Sequence, residues 1–201
     1  MARISGADRR QQIIEAAHEV ILERGLAQAA TRDVTRRLGV GSGLLHHYFK
    51  SWQGLRAEAV RYSVLREIDD LEKSLSETET ARVVPQFIDW LAVDEEMRHW
   101  SLWLNAIDEA RRDPDLAVVI HEAYRRWHGV VMRVLDRVVA GGHGACADTS
   151  LVAWRICALI DGLAGHVLLS ETVMPVKTAK DILRTQFAME LACDPTAFPD
   201  G

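Results

Sequence analysis

Two histidines stand side by side, His46 and His47, just after three alternating glycines, Gly39, Gly41 and Gly43. Three kinds of chemistry use such residues: a glycine loop that cradles phosphate, paired imidazoles on a metal, or a helix face that reads another macromolecule. A dinucleotide loop needs a strand before its glycines and a third glycine at fixed spacing, and a P-loop needs GxxxxGK[ST]. In RLGVGSGLLHHYFKSW, Arg37 to Trp52, a helical pattern comes first and neither spacing occurs. Adjacent residues on a helix point about 100° apart, so His46 and His47 do not converge on one ion. No acidic or cysteine ligand stands three or four residues further on, and neither a metal nor a cofactor is expected.

The third chemistry fits. A short helix from Thr31 carries Val34 and Leu38 at i, i+4 and stops at Gly39; a second runs from about Ser42 to Phe49 with Leu45 and Phe49 on one face. That pattern is a helix-turn-helix. Its second helix turns Ser42, Gly43, Leu44, His46, His47 and Tyr48 outward, with Lys50 following. Small residues allow close approach to a major groove, hydroxyls and imidazoles reach bases or phosphates, and Leu44 suits a thymine methyl. Thr31 and Arg32, with Arg36 and Arg37 behind them, are placed to grip phosphate.

Charge is divided accordingly. The net charge of −5 hides nine basic and six acidic residues in 1–60, net +3, against 15 and 23 in the remainder, net −8. A basic head binds phosphates while an acidic body discourages indiscriminate sticking to DNA.

The elements that must position these residues are all helical; no convincing period-2 strand or hairpin signal occurs. Asp8 and Gln11 suggest a capping box opening a first helix through Ile13, Ala17, Val20 and Ile21 to a stop at Gly25. Ser51 caps a fourth helix reaching about Leu75, and SETETARVVP is a connector. Further helices are expected over Pro85–Leu91, Glu95–Arg112, Pro114–Ala140, Thr149–Ser170 and Thr178–Cys193, with a glycine-rich loop at Ala140–Asp148. The expectation is an all-α chain of about nine helices. Residues 1–55 form a helix-turn-helix head; residues 56–201 form a larger helical domain for effector binding and dimerisation.

ATRDVTRRLGVGSGLLHHYFKSWQGL, Ala30 to Leu55, resembles the DNA-binding segment of the tetracycline-repressor (TetR) family of bacterial transcription regulators. The likeness extends from Asp8 to about Tyr62. It implies a repressor that occupies an operator on double-stranded DNA and is released by a small molecule. It also implies that Thr31, Arg32, Ser42, Gly43, Leu44, His46, His47 and Tyr48 fall where family members touch DNA. Two positions depart from the family pattern: His46 replaces a usual tyrosine, and Trp52 replaces a lysine that commonly meets a phosphate. WLNAIDEARRDPDL (103–116) and IDGLAGHVLL (160–169) resemble the choline/betaine-repressor branch, which makes a cationic or amine-like effector the one to test.

Beyond the head the chain is rich in tryptophan. Trp100, Trp103, Leu104 and Ile107 follow one helical stripe; Ile120, Tyr124, Trp127 and Val131 follow another. Such aromatics are more often plain core than a ligand cage, yet several in one small helical domain can line a pocket between helices. Asp161 sits in an almost wholly apolar helix, where a carboxylate is costly unless satisfied. Either it bonds a neighbouring helix or a subunit partner, or it balances a cation held over tryptophan faces. The expected effector residues are Trp100, Trp103, Ile107, Tyr124, Trp127, Trp154 and Asp161. The same helix is apolar nearly all round, so a second chain is its natural cover, and Leu159, Leu163, Val167, Leu183 and Phe187 are the expected homodimer contacts.

No run of about 18 uncharged apolar residues appears, so no membrane partner is expected. MARISGADRRQQ lacks an apolar signal core, and the three scattered cysteines form no CxxC; both suit a cytoplasmic protein. The alternative is a helical enzyme or small-molecule carrier without DNA function. It would need a convergent catalytic set, and none has recognisable spacing.

Overall fold

The computed structural model describes residues 5–91, 98–170 and 172–198. Among these, nine α-helices and two short 3-10 turns make up the regular structure. The helices are α1 (Gly6–Arg24), α2 (Thr31–Leu38), α3 (Ser42–Tyr48), α4 (Trp52–Ser76), α5 (Val83–Trp90), α6 (Arg98–Ala110), α7 (Pro114–Ala140), α8 (Thr149–Leu169) and α9 (Val176–Glu190). The all-α expectation holds.

Local chemistry sets the boundaries. The α1 cap is Ser5, three residues earlier than the sequence pattern placed it: its Oγ accepts from the Asp8 N–H at 3.1 Å. Gly25, at φ +82°, closes the helix. The cap of α2 is Ala30 rather than Thr31, and Asp33 supplies the missing polar group by accepting from the Ala30 N–H at 3.2 Å. Gly39 then takes the left-handed conformation, φ +65°, that lets the chain turn from α2 into α3. Ser51 Oγ accepts from the Gly54 N–H at 3.1 Å, as its position before α4 predicts. Residues 95–97 of the expected sixth helix lie outside the described residues.

Two compact units emerge. One comprises the chain up to Arg66 together with Leu102–Ala123; the other comprises Glu67–Ser101 with the chain from Tyr124 onward. α4 runs unbroken through the division expected at 55/56. In the first unit, Ile13, Ala17 and Ile21 of α1, Val34 of α2, Leu45 of α3 and Leu55 of α4 are buried, a three-helix head sealed by the start of the fourth helix. In the second, Phe87, Ile88, Val131, Leu135, Ile156 and Phe187 form the core.

α8 is the one helix among the described residues long and apolar enough to cross a membrane, although Arg155 and Asp161 interrupt it. Only 39% of its most apolar window is buried within the chain. Leu151, Trp154 and Leu169 lie exposed along it, and Ile182 and Met189 are exposed on α9.

Candidate nucleic-acid interface and helical core

α3 is seven residues long, so its inner side is fixed by very few contacts. Leu45 is 2% exposed and Phe49 7%, and the Arg10 guanidinium lies 4.9 Å over the Phe49 ring. With those two side chains inward, Ser42, Gly43, His46, His47 and Lys50 are exposed, and Leu44 and Tyr48 are half-buried. The His47 and Tyr48 rings meet edge to face, 5.0 Å between centroids. A Cβ added at Gly43 would meet nothing within 4 Å, and the residue has no positive φ. The fold itself therefore has no need of glycine there.

On α2, Arg32 is exposed and Thr31 half-buried in the first turn. Arg37, expected on phosphate, is instead held by Glu23 through two 2.7 Å hydrogen bonds, which raise its pKa further. Arg36 leans on the buried Asp33 at 3.5 Å, and Arg24 reaches the same carboxylate at 3.5 Å. Asp33 thus ties α1 and α2 together. The first unit holds a second network. Arg56 on α4 meets Asp113 at 2.5 Å and Glu109 at 3.4 Å, and Arg61 meets Glu122 at 2.6 Å. Sequence reasoning missed both networks, because partners such as Arg56 and Asp113 lie 57 residues apart.

In the second unit, Tyr124 Oη donates to Asp161 Oδ2 at 3.0 Å, joining α7 to α8. Trp127 stacks on Phe87 at 5.6 Å and lies 6.4 Å from Trp90. Trp100 donates its indole N–H to the Leu91 carbonyl at 3.0 Å. It also lines a small cavity of about 40 Å³ with Ile88, Ile160, Leu163 and Lys180. Lys180 pairs with Asp89 at 3.0 Å. Tyr124, Trp127, Asp161 and Trp100 all lie in this unit. Trp103 and Ile107 belong to the other, Trp103 buried and Ile107 half-buried. Trp154, also in the expected effector set, is 49% exposed on α8, its ring tilted against that of His128 with 4.6 Å between centroids.

The expected dimer contacts differ in how far their own subunit already covers them. Phe187 is completely buried against Phe87, 5.8 Å between ring centroids, and Leu183 and Leu163 line the interior cavity. Phe187 has no surface left to offer a second chain, and Leu183 and Leu163 have little. Leu159 and Val167 are half-buried.

Residues 13–59 match the family model described as bacterial regulatory proteins, tetR family, and residues 79–192 match that of the BetI-type transcriptional repressor, C-terminal. The chain belongs to the TetR family. Among its TetR-family relatives, the HTH-type transcriptional regulator PksA of Bacillus subtilis is 29% identical over 186 residues, covering 90% of this chain and 87% of that one. The regulator BetI of Serratia proteamaculans is 30% identical over 164 residues, covering 77% and 78%. A putative transcriptional regulator from Saccharomonospora viridis, solved in complex with choline, superposes with a TM-score of 0.78 at 25% identity, covering 91% and 96%. This TetR-family chain is a DNA-binding transcriptional regulator and not an enzyme.

Proposed function

We propose that this cytoplasmic regulator binds a near-palindromic operator as a homodimer and is released by a small cationic or amine-like effector. The observation that carries the DNA contact is the outward face of α3: glycine, serine, two histidines and a tyrosine, held out by an inward Leu45 and Phe49. Thr31, Arg32 and Lys50 supply flanking phosphate contacts, while Ser42, Gly43, Leu44, His46, His47 and Tyr48 enter the groove. Two such heads about 34 Å apart read successive major-groove faces.

The dimer forms through the outer faces of α8 and α9. Leu151, Trp154, Leu169, Ile182 and Met189 are large apolar side chains left exposed by one chain. An isologous four-helix contact covers them, and it accounts for an apolar helix so little buried in its own subunit.

The effector contacts Tyr124, Trp127, Trp100 and Asp161 in the second unit. A half-buried carboxylate in an aromatic-rich helical core suits a cation, and the Saccharomonospora viridis relative holds choline. Release requires that the effector prefer the arrangement that fits DNA poorly. A coupling of about 1–3 kcal/mol lowers DNA affinity about 5–150-fold. The test is selection of fragments from a random duplex pool by the purified protein, followed by gel-shift titration with and without choline. Two-fold symmetric half-sites, released by choline, are the expected result; recovery of no shared sequence overturns the proposal.

A further inference from the structure

A buried ion pair in the first unit lies one turn into the helix that follows the DNA-reading helix. α4 begins at Trp52, immediately after the α3 cap at Phe49 and the two residues that follow it. Arg56, in its second turn, is only 12% exposed at its side chain, and its Nη2 donates to Asp113 Oδ2 at 2.5 Å, where Asp113 is 5% exposed. The other Asp113 oxygen accepts from the backbone N–H groups of Asp115 at 3.1 Å and Leu116 at 3.3 Å. One carboxylate therefore starts α7 and holds α4 at once. Arg61–Glu122 repeats the α4–α7 link further along, and Arg10–Glu58 at 3.5 Å ties α4 back to α1.

This pair is a poor way to gain stability. Burying two charges costs several kcal/mol of desolvation, and an apolar pair of equal volume often serves as well or better. Arg56 Nε is moreover buried without a hydrogen-bond partner, an uncompensated cost. What an ion pair supplies and an apolar contact does not is direction: the planar guanidinium donates Nη2 to Asp113 and Nη1 to Glu109, and satisfies both in few orientations. A groove of about 370 Å³, lined by Ser51, Gln53, Arg112 and Pro114, opens beside the pair.

We propose that Arg56 and Asp113 are positioning residues for operator binding: they fix the angle at which α4, and hence α3, leaves the α6–α7 corner. The inference rests on the dimeric operator reading above. In a dimer, the angle of each head decides which half-site spacing is bound best.

The experiment measures affinity of the full-length protein for its selected operator and for versions with one or two base pairs added or removed between half-sites. Asp113→Asn keeps a good helix cap but loses the charge. Arg56→Met with Asp113→Asn replaces the ion pair by an uncharged contact of similar size and is expected to keep or regain thermal stability. Both are expected to lose about tenfold in affinity for the selected operator while discriminating less between spacings. Return of the original spacing preference along with stability in the paired variant overturns the proposal, since the pair would then be structural only. If Asp113→Asn alone does not fold, the paired variant and Arg56→Lys, which keeps charge but not the fork, give the same reading. Failure of the parent protein to select symmetric DNA strikes the dimeric operator reading instead, and is told apart in the first step.

Discussion

The Tyr124 hydroxyl donates to the Asp161 carboxylate across 3.0 Å, from α7 to α8. Burial, then the neighbouring negative charge, push the phenol above its ordinary range. Tyr124→Phe removes a donor from a half-buried carboxylate and is expected to destabilise the chain by about 1–3 kcal/mol in urea unfolding. If Asp161 receives a cation, Tyr124→Phe keeps the aromatic ring and weakens cation binding only modestly, whereas Asp161→Asn abolishes it. Isothermal calorimetry with choline separates the two; unchanged affinity in Asp161→Asn dismisses the carboxylate as a counter-charge.

Cys157 lies one turn before Asp161 and is buried; burial first, then Asp161, push its thiol up to about 12. The folded chain thus binds this proton more tightly than the unfolded chain does. Stability from this group is complete below the ordinary thiol value of about 8.5 and declines as pH rises from there toward about 12. Urea midpoints at pH 8 and pH 10 are expected to fall in the parent and to fall less in Cys157→Ala. Equal decline in both refutes the assignment.

On α3, His47→Ala and Tyr48→Ala are each expected to cost about 1–3 kcal/mol of operator binding while the dimer survives. Lys50→Ala and Arg32→Ala behave differently: they weaken binding to all sequences and each lower the salt slope by about one. Fluorescence-anisotropy titrations across a salt series distinguish base readers from phosphate contacts.

On the outer side of α8, Trp154→Glu or Leu151→Glu is expected to give folded monomers by light scattering with unchanged helicity. Phe187→Ala, inside the subunit, is expected to cost about 3–5 kcal/mol of folding stability instead. Monomers without loss of stability from Phe187→Ala would restore it to the interface.

How much of this was legible in advance depends on how local each signal is. α7 is found over the expected Pro114–Ala140, because a proline at the first position and two glycines after the last are signals read within a few residues. The inward Leu45 and Phe49 follow from spacing alone. The α9 stripe of Leu183 and Phe187 was equally plain as an apolar face, but periodicity does not say whether a face meets its own subunit or another. In the structure Leu183 and Phe187 are buried in their own subunit, and Ile182 and Met189 are large apolar side chains that α9 leaves exposed. Ion pairs such as Arg37 with Glu23 and Arg56 with Asp113 bridge distant sequence positions, so charged residues that read as solvent-facing or phosphate-seeking were already engaged.

The vacant space around Gly43 has one more implication. Alanine favours a helix over glycine by up to about 1 kcal/mol, and nothing in the subunit obstructs a methyl group at that position. A laboratory search for heat-resistant variants would therefore welcome Gly43→Ala. The hardier protein it yields would hold its target sequence at arm's length.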